Sequence, residues 1–126
     1  MAAQKRTVVW IVDDVESVRK SIAAVLETAN MAVCDYASAA EFLAAFKPGA
    51  IGCLVVDQNM PQMSGVELLQ HLQRTPGAPP SIMITAHGAT ELKKKAHAAG
   101  ARAVVEKPVD ADDLIALIEK TMLNNG

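Results

Sequence analysis

Three aspartates, a threonine and a lysine are the residues of this chain whose types and spacing could do chemistry. Asp13 and Asp14 stand together after one apolar run. Asp57 follows a second run, Thr85 closes a third and Lys107 follows a fourth. Three carboxylates brought close would repel one another unless a cation sits among them. Carboxylate oxygens with water are the ligands Mg²⁺ prefers, and Mn²⁺ is a possible substitute. A divalent metal beside a lysine suits a phosphoryl group in transfer, because both neutralise its charge. The Thr85 hydroxyl would donate a hydrogen bond to a phosphoryl oxygen. Asp57 would be the carboxylate nucleophile and would form an acyl phosphate.

These residues need elements that bring them together. Thr7–Val12 is a β-rich apolar run ending at Asp13-Asp14. Helical periodicity follows, with Val15, Val18, Ile22, Val25, Leu26 and Ala29 on one face. Asp13 with Glu16 has capping-box spacing, but a cap needs only one carboxylate. Met31–Tyr36 reads as a second strand. Ser38 with Glu41 opens a second helix, whose stripe is Ala39, Phe42, Leu43 and Phe46, closed by Pro48-Gly49. Residues 51–56 read as a buried third strand with Asp57 at its carboxyl end. Ser64 with Glu67 caps a third helix carrying Leu68, Leu69 and Leu72.

Ser81–Thr85 is the fourth strand. Ala89–Ala99 follows as a helix with Gly100 as its C-cap. Its only large apolar residue is Leu92, with Ala89, Ala96 and Ala99 as further inward candidates. An element that buries so little should be weakly held. Ala103–Val105 is the fifth strand. Asp110 caps the last helix, whose face is Leu114, Ile115, Leu117, Ile118 and Met122. Strand and helix alternate five times. Strands that read as continuous apolar runs imply a parallel α/β sheet covered on both faces. In such a sheet all the polar strand ends share one edge, where open α/β sheets keep their ligand sites.

Composition sets the outer bounds. A chain of 126 residues suits one domain, here 1–126, that needs neither disulfide nor metal to fold. Aromatics are only 3%, so an aliphatic, alanine-rich core is expected. A net charge of −2 gives no electrostatic case for direct nucleic-acid binding. Cys34 and Cys53 fall in strands and read as buried hydrophobes in a reducing compartment. No run approaches the roughly 18 apolar residues of a membrane span. The N-terminal residues lack a signal-peptide core, which points to the cytoplasm. No G-x-G-x-x-G follows the first strand, which excludes a dinucleotide fingerprint.

Taken in order, Asp13-Asp14, Asp57-Gln58-Asn59-Met60-Pro61 with Ser64-Gly65, Thr85-Ala86 and Lys107-Pro108 resemble the two-component response-regulator receiver domain over essentially the whole chain. Ile84-Thr85-Ala86-His87-Gly88 and Glu106-Lys107-Pro108 look most like the branch with nitrogen-fixation regulators of the FixJ type. The resemblance implies a flavodoxin-like (βα)5 fold with strand order 2-1-3-4-5. It implies phosphorylation of Asp57 by a sensor histidine kinase or phosphotransfer protein, in a phosphorelay that controls transcription. It implies that Asp14 ligates Mg²⁺ directly, Asp13 mainly through water, and Asn59 by its backbone carbonyl. Thr85 and Lys107 would bind phosphoryl oxygens, and the Lys107–Pro108 bond would be cis. His87 and Asn59 would tune hydrolysis of the acyl phosphate. A domain of this kind assists its own phosphorylation and dephosphorylation but turns over no external substrate.

The chain departs from that pattern at Val104, where the family often carries an aromatic that swings inward, and at Val109, commonly Phe. A rotameric signal from valine would be muted. Lys93-Lys94-Lys95 reads as a solvated helix face. It also reads, with Arg102, as a docking surface for Asp110, Asp112 and Asp113 of a second copy. That surface would make a phosphorylation-dependent homodimer through the fourth helix, fifth strand and fifth helix. The competing enzymatic reading is a Mg²⁺-dependent aspartyl-phosphate phosphatase of the haloacid-dehalogenase type. That family places its nucleophile after the first strand in an Asp-x-Asp-x pattern, whereas Asp13-Asp14-Val15-Glu16 stands here, with no cap domain to hold a substrate.

Overall fold

The computed structural model describes residues 6–125. The N-terminal stretch read above as lacking a signal-peptide core lies largely outside the described residues. Ten elements alternate: β1 (Val8–Val12), α1 (Glu16–Thr28), β2 (Ala32–Tyr36), α2 (Ala39–Ala45), β3 (Cys53–Asp57), α3 (Gly65–Gln73), β4 (Ser81–Thr85), α4 (Thr90–Ala98), β5 (Ala101–Glu106) and α5 (Ala111–Asn125). All strand pairs are parallel, in the order β2-β1-β3-β4-β5. This is the α/β fold and strand order expected. Among the described residues, no helix is long and apolar enough to cross a membrane.

β3 and β4 are central, and every residue of both is buried. That is why they read as unbroken apolar runs rather than alternating ones. Helices cover both faces. Ile22 and Leu26 of α1 pack with Leu114 and Ile118 of α5 against Val9, Ile11, Val55, Ile82 and Ile84. On the other face α2, α3 and α4 pack against Trp10, Val12, Leu54, Val56 and Met83. The few aromatics are not dispersed. Trp10 meets Phe42 and Phe46 edge-on at 6.3 and 5.3 Å, Phe42 stacks on Phe46 at 5.2 Å, and Tyr36 meets Phe42 at 5.6 Å. The core is therefore aliphatic everywhere except at the corner of β1, β2 and α2.

Several boundaries differ from the sequence reading, each for a local reason. β3 begins at Cys53, and Ile51 is 81% exposed. The Trp10 ring occupies the space over Gly52, where a Cβ would lie 2.7 Å from it. Only glycine fits at that position, and pairing with β1 begins at the next residue, Cys53. β5 is longer than expected and starts at Ala101. α2 stops at Ala45, with Phe46 extended, yet Phe46 still reaches Trp10. α4 starts at Thr90, so Ala89 is an exposed N-cap rather than an inward residue, and Ala99, not Gly100, is the C-cap. Only Ala96 of α4 is fully buried. Cys34 is exposed, against expectation, because β2 is an edge strand with a neighbour on one side only. Cys53 is buried and free.

Candidate functional site

The carboxyl ends of β1, β3, β4 and β5 deliver Asp13-Asp14, Asp57, Thr85 and Lys107 to one edge of the sheet. β3 positions Asp57. Val56 and Asp57 pair with Met83 and Ile84 in β4, and Gln58 N–H donates to Ile84 O at 2.8 Å. The carboxyl is held at 3% exposure, and Asp13 at 2%. One carboxylate oxygen from each of Asp13, Asp14 and Asp57 lies within 4.8 Å of the others. Asp14 is the exposed member.

Lys107 closes the site from β5. Its Nζ lies 3.1 Å from Asp57 Oδ1 and 4.0 Å from Asp13 Oδ2. Asp57 Oδ1 nonetheless accepts no directed hydrogen bond among the described residues. Lys107 meets Asp57 as a close ion pair. Burial pushes the Asp57 carboxyl above its ordinary value; the Lys107 ammonium pulls it down, and Asp13 and Asp14 add to the rise. Burial also pushes Asp13 up, against the Val15 N–H, Lys107 and Arg19. A buried carboxylate cluster with an unsatisfied oxygen and one lysine is short of positive charge. Its oxygen-only donor set fits Mg²⁺.

Thr85 is 1% exposed. Its hydroxyl closes a turn with His87, accepting from the His87 N–H and donating to the His87 carbonyl, both at 3.2 Å. Lys107 N–H donates to Thr85 O at 2.8 Å, so the ends of β4 and β5 are tied together. The Lys107–Pro108 bond is cis, in agreement with the expectation. Asn59 is exposed in the turn after β3, two residues beyond Asp57. Val104 is half-buried opposite Met83.

The Asp13–Glu16 capping box does not form. Asp13 Oδ1 instead accepts from Val15 N–H at 2.9 Å, and α1 starts without a side-chain cap. The inward turn that makes Asp13 part of the cluster removes it from the helix end. The other caps form as expected at Ser38, Ser64 and Asp110.

Two participants escaped the sequence reading. Gln58 Oε1 accepts from Val66 N–H at 2.9 Å, and Gln58 O accepts from Gly65 N–H at 3.1 Å, which pins the start of α3 to the end of β3. Gly65 permits this approach, since a Cβ there would lie 2.9 Å from Asp57 O. Arg19 Nη1 donates to Asp13 O at 2.8 Å while its Nε donates to Asp35 Oδ2 at 3.0 Å. A cation this near a helix N-terminus opposes the helix dipole. That was the available sign that Arg19 has a specific partner.

Comparison with known proteins bears on this geometry. A family model described as the response regulator receiver domain matches residues 9–119. The transcriptional regulatory protein FixJ of Rhizobium meliloti is 45% identical over 112 residues, covering 89% of this chain and 55% of that protein. FixJ of Azorhizobium caulinodans is 39% identical over 114 residues, covering 90% of this chain and 54% of that protein. The chain thus spans about half the length of these curated relatives. Among solved structures, FixJ-N superposes with a TM-score of 0.82 at 39% identity, covering 95% of this chain and 96% of that one. The response regulator StyR superposes with a TM-score of 0.87 at 36% identity, covering 96% of this chain and 61% of that one.

Proposed function

This chain belongs to the response regulator receiver domain family, and on that premise we propose that it is a phosphorylation switch whose acceptor is Asp57. The observation that carries the proposal is Asp57 Oδ1: buried, without a directed hydrogen bond, and 3.1 Å from the Lys107 ammonium. A carboxylate oxygen of Asp57 attacks the phosphorus of a phosphohistidine on a sensor kinase or phosphotransfer protein. The P–N bond breaks, its electron pair stays on the imidazole nitrogen, and the product at Asp57 is a mixed anhydride. Asp13, Asp14 and Asp57, with the Asn59 carbonyl, would hold Mg²⁺, which when bound neutralises charge on the phosphoryl oxygens. Lys107 binds one phosphoryl oxygen. The Thr85 hydroxyl leaves its turn with His87 to donate to another. Water admitted past His87 and Asn59 later hydrolyses the anhydride.

We assign residues 1–126 to a single receiver unit in the cytoplasm. The curated relatives are transcriptional regulators, and we assign this chain the phosphoacceptor step of such a relay. The exposed Lys93–Lys95 of α4 and the exposed Asp110, Asp112 and Asp113 by α5 support self-association through the α4, β5 and α5 face once Asp57 is phosphorylated.

The test is incubation with Mg²⁺ and acetyl phosphate or phosphoramidate, read by intact mass. A gain of one phosphoryl group, absent in Asp57→Asn, is expected. Rapid turnover of phosphate esters with no stable adduct would instead favour the aspartyl-phosphate phosphatase.

A further inference from the structure

Arg19 is bonded to the backbone of the acidic pair rather than to its carboxylates. Its side chain is 12% exposed and that of Asp35 is 23% exposed. The guanidinium spans two elements, with Nε on Asp35 of β2 and Nη1 on the Asp13 carbonyl. The Asp13 carbonyl and the Asp14 N–H belong to one planar peptide unit. Fixing that carbonyl therefore fixes the plane from which the Asp14 side chain departs. The other side of Asp13 is fixed as well, since its N–H donates to Tyr36 O at 3.1 Å and its Oδ1 accepts from Val15 N–H. Asp14 is exposed and is the member of the cluster with the least packing around it.

We propose that Arg19, anchored by Asp35, is a positioning residue that holds the Asp13–Asp14 peptide in the orientation required for divalent-cation binding. The inference rests on the phosphoacceptor reading for its biological meaning, but not for its test. Arg19 carries a positive charge beside a cation site. If it acted only as a charge, its removal would tighten Mg²⁺ binding. If it positions the ligands, its removal weakens binding. The two roles have opposite signs.

The test is isothermal titration of Mg²⁺ into wild type, Arg19→Gln, Asp35→Asn and Lys20→Ala, with the melting temperature of each metal-free protein measured alongside. Lys20 also meets Asp35, at 2.9 Å, but is 60% exposed and serves as the control for losing an Asp35 partner. Residues that orient metal ligands cost about 10–100-fold in affinity when replaced. Arg19→Gln is expected to weaken Mg²⁺ binding by about tenfold. Asp35→Asn, which keeps the Arg19 charge, is expected to weaken it less but in the same direction, and Lys20→Ala to leave it unchanged. Equal or tighter binding by Arg19→Gln overturns the proposal, even if its melting temperature falls, because a purely structural clamp would do just that. Should Arg19→Gln fail to fold, Arg19→Lys carries the test: it keeps the charge but cannot bond Asp35 and the Asp13 carbonyl together, so weaker Mg²⁺ binding is expected and unchanged binding overturns the proposal. Phosphorylation of the wild type is scored separately. A phosphorylated wild type with unchanged Mg²⁺ affinity in the variants refutes this inference alone. Weakened Mg²⁺ binding with no phosphorylation of the wild type refutes the phosphoacceptor reading alone.

Discussion

Replacing Asp57 with asparagine is expected to stabilise the metal-free protein at neutral pH. The carboxyl is 3% exposed and has oxygens of Asp13 and Asp14 within 4.8 Å. At an effective dielectric of about 20, one such pair of charges repels by about 3 kcal/mol. The Lys107 ammonium, at 3.1 Å, contributes an attraction of about 5 kcal/mol on the same scale. Desolvating the carboxylate costs several kcal/mol more. Repulsion and desolvation together outweigh the lysine, in line with the raised pKa. A gain of about 1–3 kcal/mol is expected in the variant. For a chain of this length, each kcal/mol moves the melting temperature by about 4 °C. The folded carboxyl titrates above its ordinary 3.8, so the folded state keeps its proton to higher pH than the unfolded chain. The wild type therefore matches the variant below 3.8. It loses ground as pH rises through the folded value and stays behind above it. Melting curves of both proteins from pH 3 to 8 without divalent cations measure the gap. Equal melting temperatures at pH 7, or a gap that does not close on acidification, would refute the reasoning.

Gly65→Ala would drive a Cβ to 2.9 Å from Asp57 O and 3.0 Å from the Gln58 Cα. A loss of about 1–3 kcal/mol in urea unfolding, with slower phosphorylation, is expected, and wild-type values for both would contradict the tight approach. Exposed Cys34 should react with an alkylating reagent in the native protein. Buried Cys53, its thiol pushed up to about 12 by desolvation, should react only on unfolding, as followed by intact mass. Amide exchange across residues 86–100 should change on phosphorylation, because Thr85 adjoins a helix that buries little beyond Ala96. Unchanged protection there would count against a signal leaving through α4.

The sheet was legible in the sequence because its central strands are buried on both faces and so read as unbroken apolar runs. The convergence of Asp13, Asp14, Asp57 and Lys107 followed from strand ends alone. What the sequence concealed was geometry set by tertiary contact. Ile51 is as apolar as any strand residue, yet it is exposed and lies two residues before the strand begins. Asp13 and Glu16 have ideal capping spacing, but the inward turn of Asp13 prevails over the local rule. Arg19 and Gln58 look like ordinary surface residues, since each works through a backbone atom that has no sequence signature.

The aromatic corner has a practical consequence for spectroscopy. Trp10, Tyr36, Phe42 and Phe46 are the only Trp, Tyr and Phe residues of the chain, and their rings form one connected group in that corner, with Phe42 in contact with the other three. Intrinsic fluorescence and near-ultraviolet dichroism therefore report on β1, β2 and α2 and have no chromophore in α4, β5 or α5. A flat optical trace on adding a phosphodonor would show a quiet corner, while the half of the molecule with the loosely held helix changes unseen. A probe attached within α4 would restore the view.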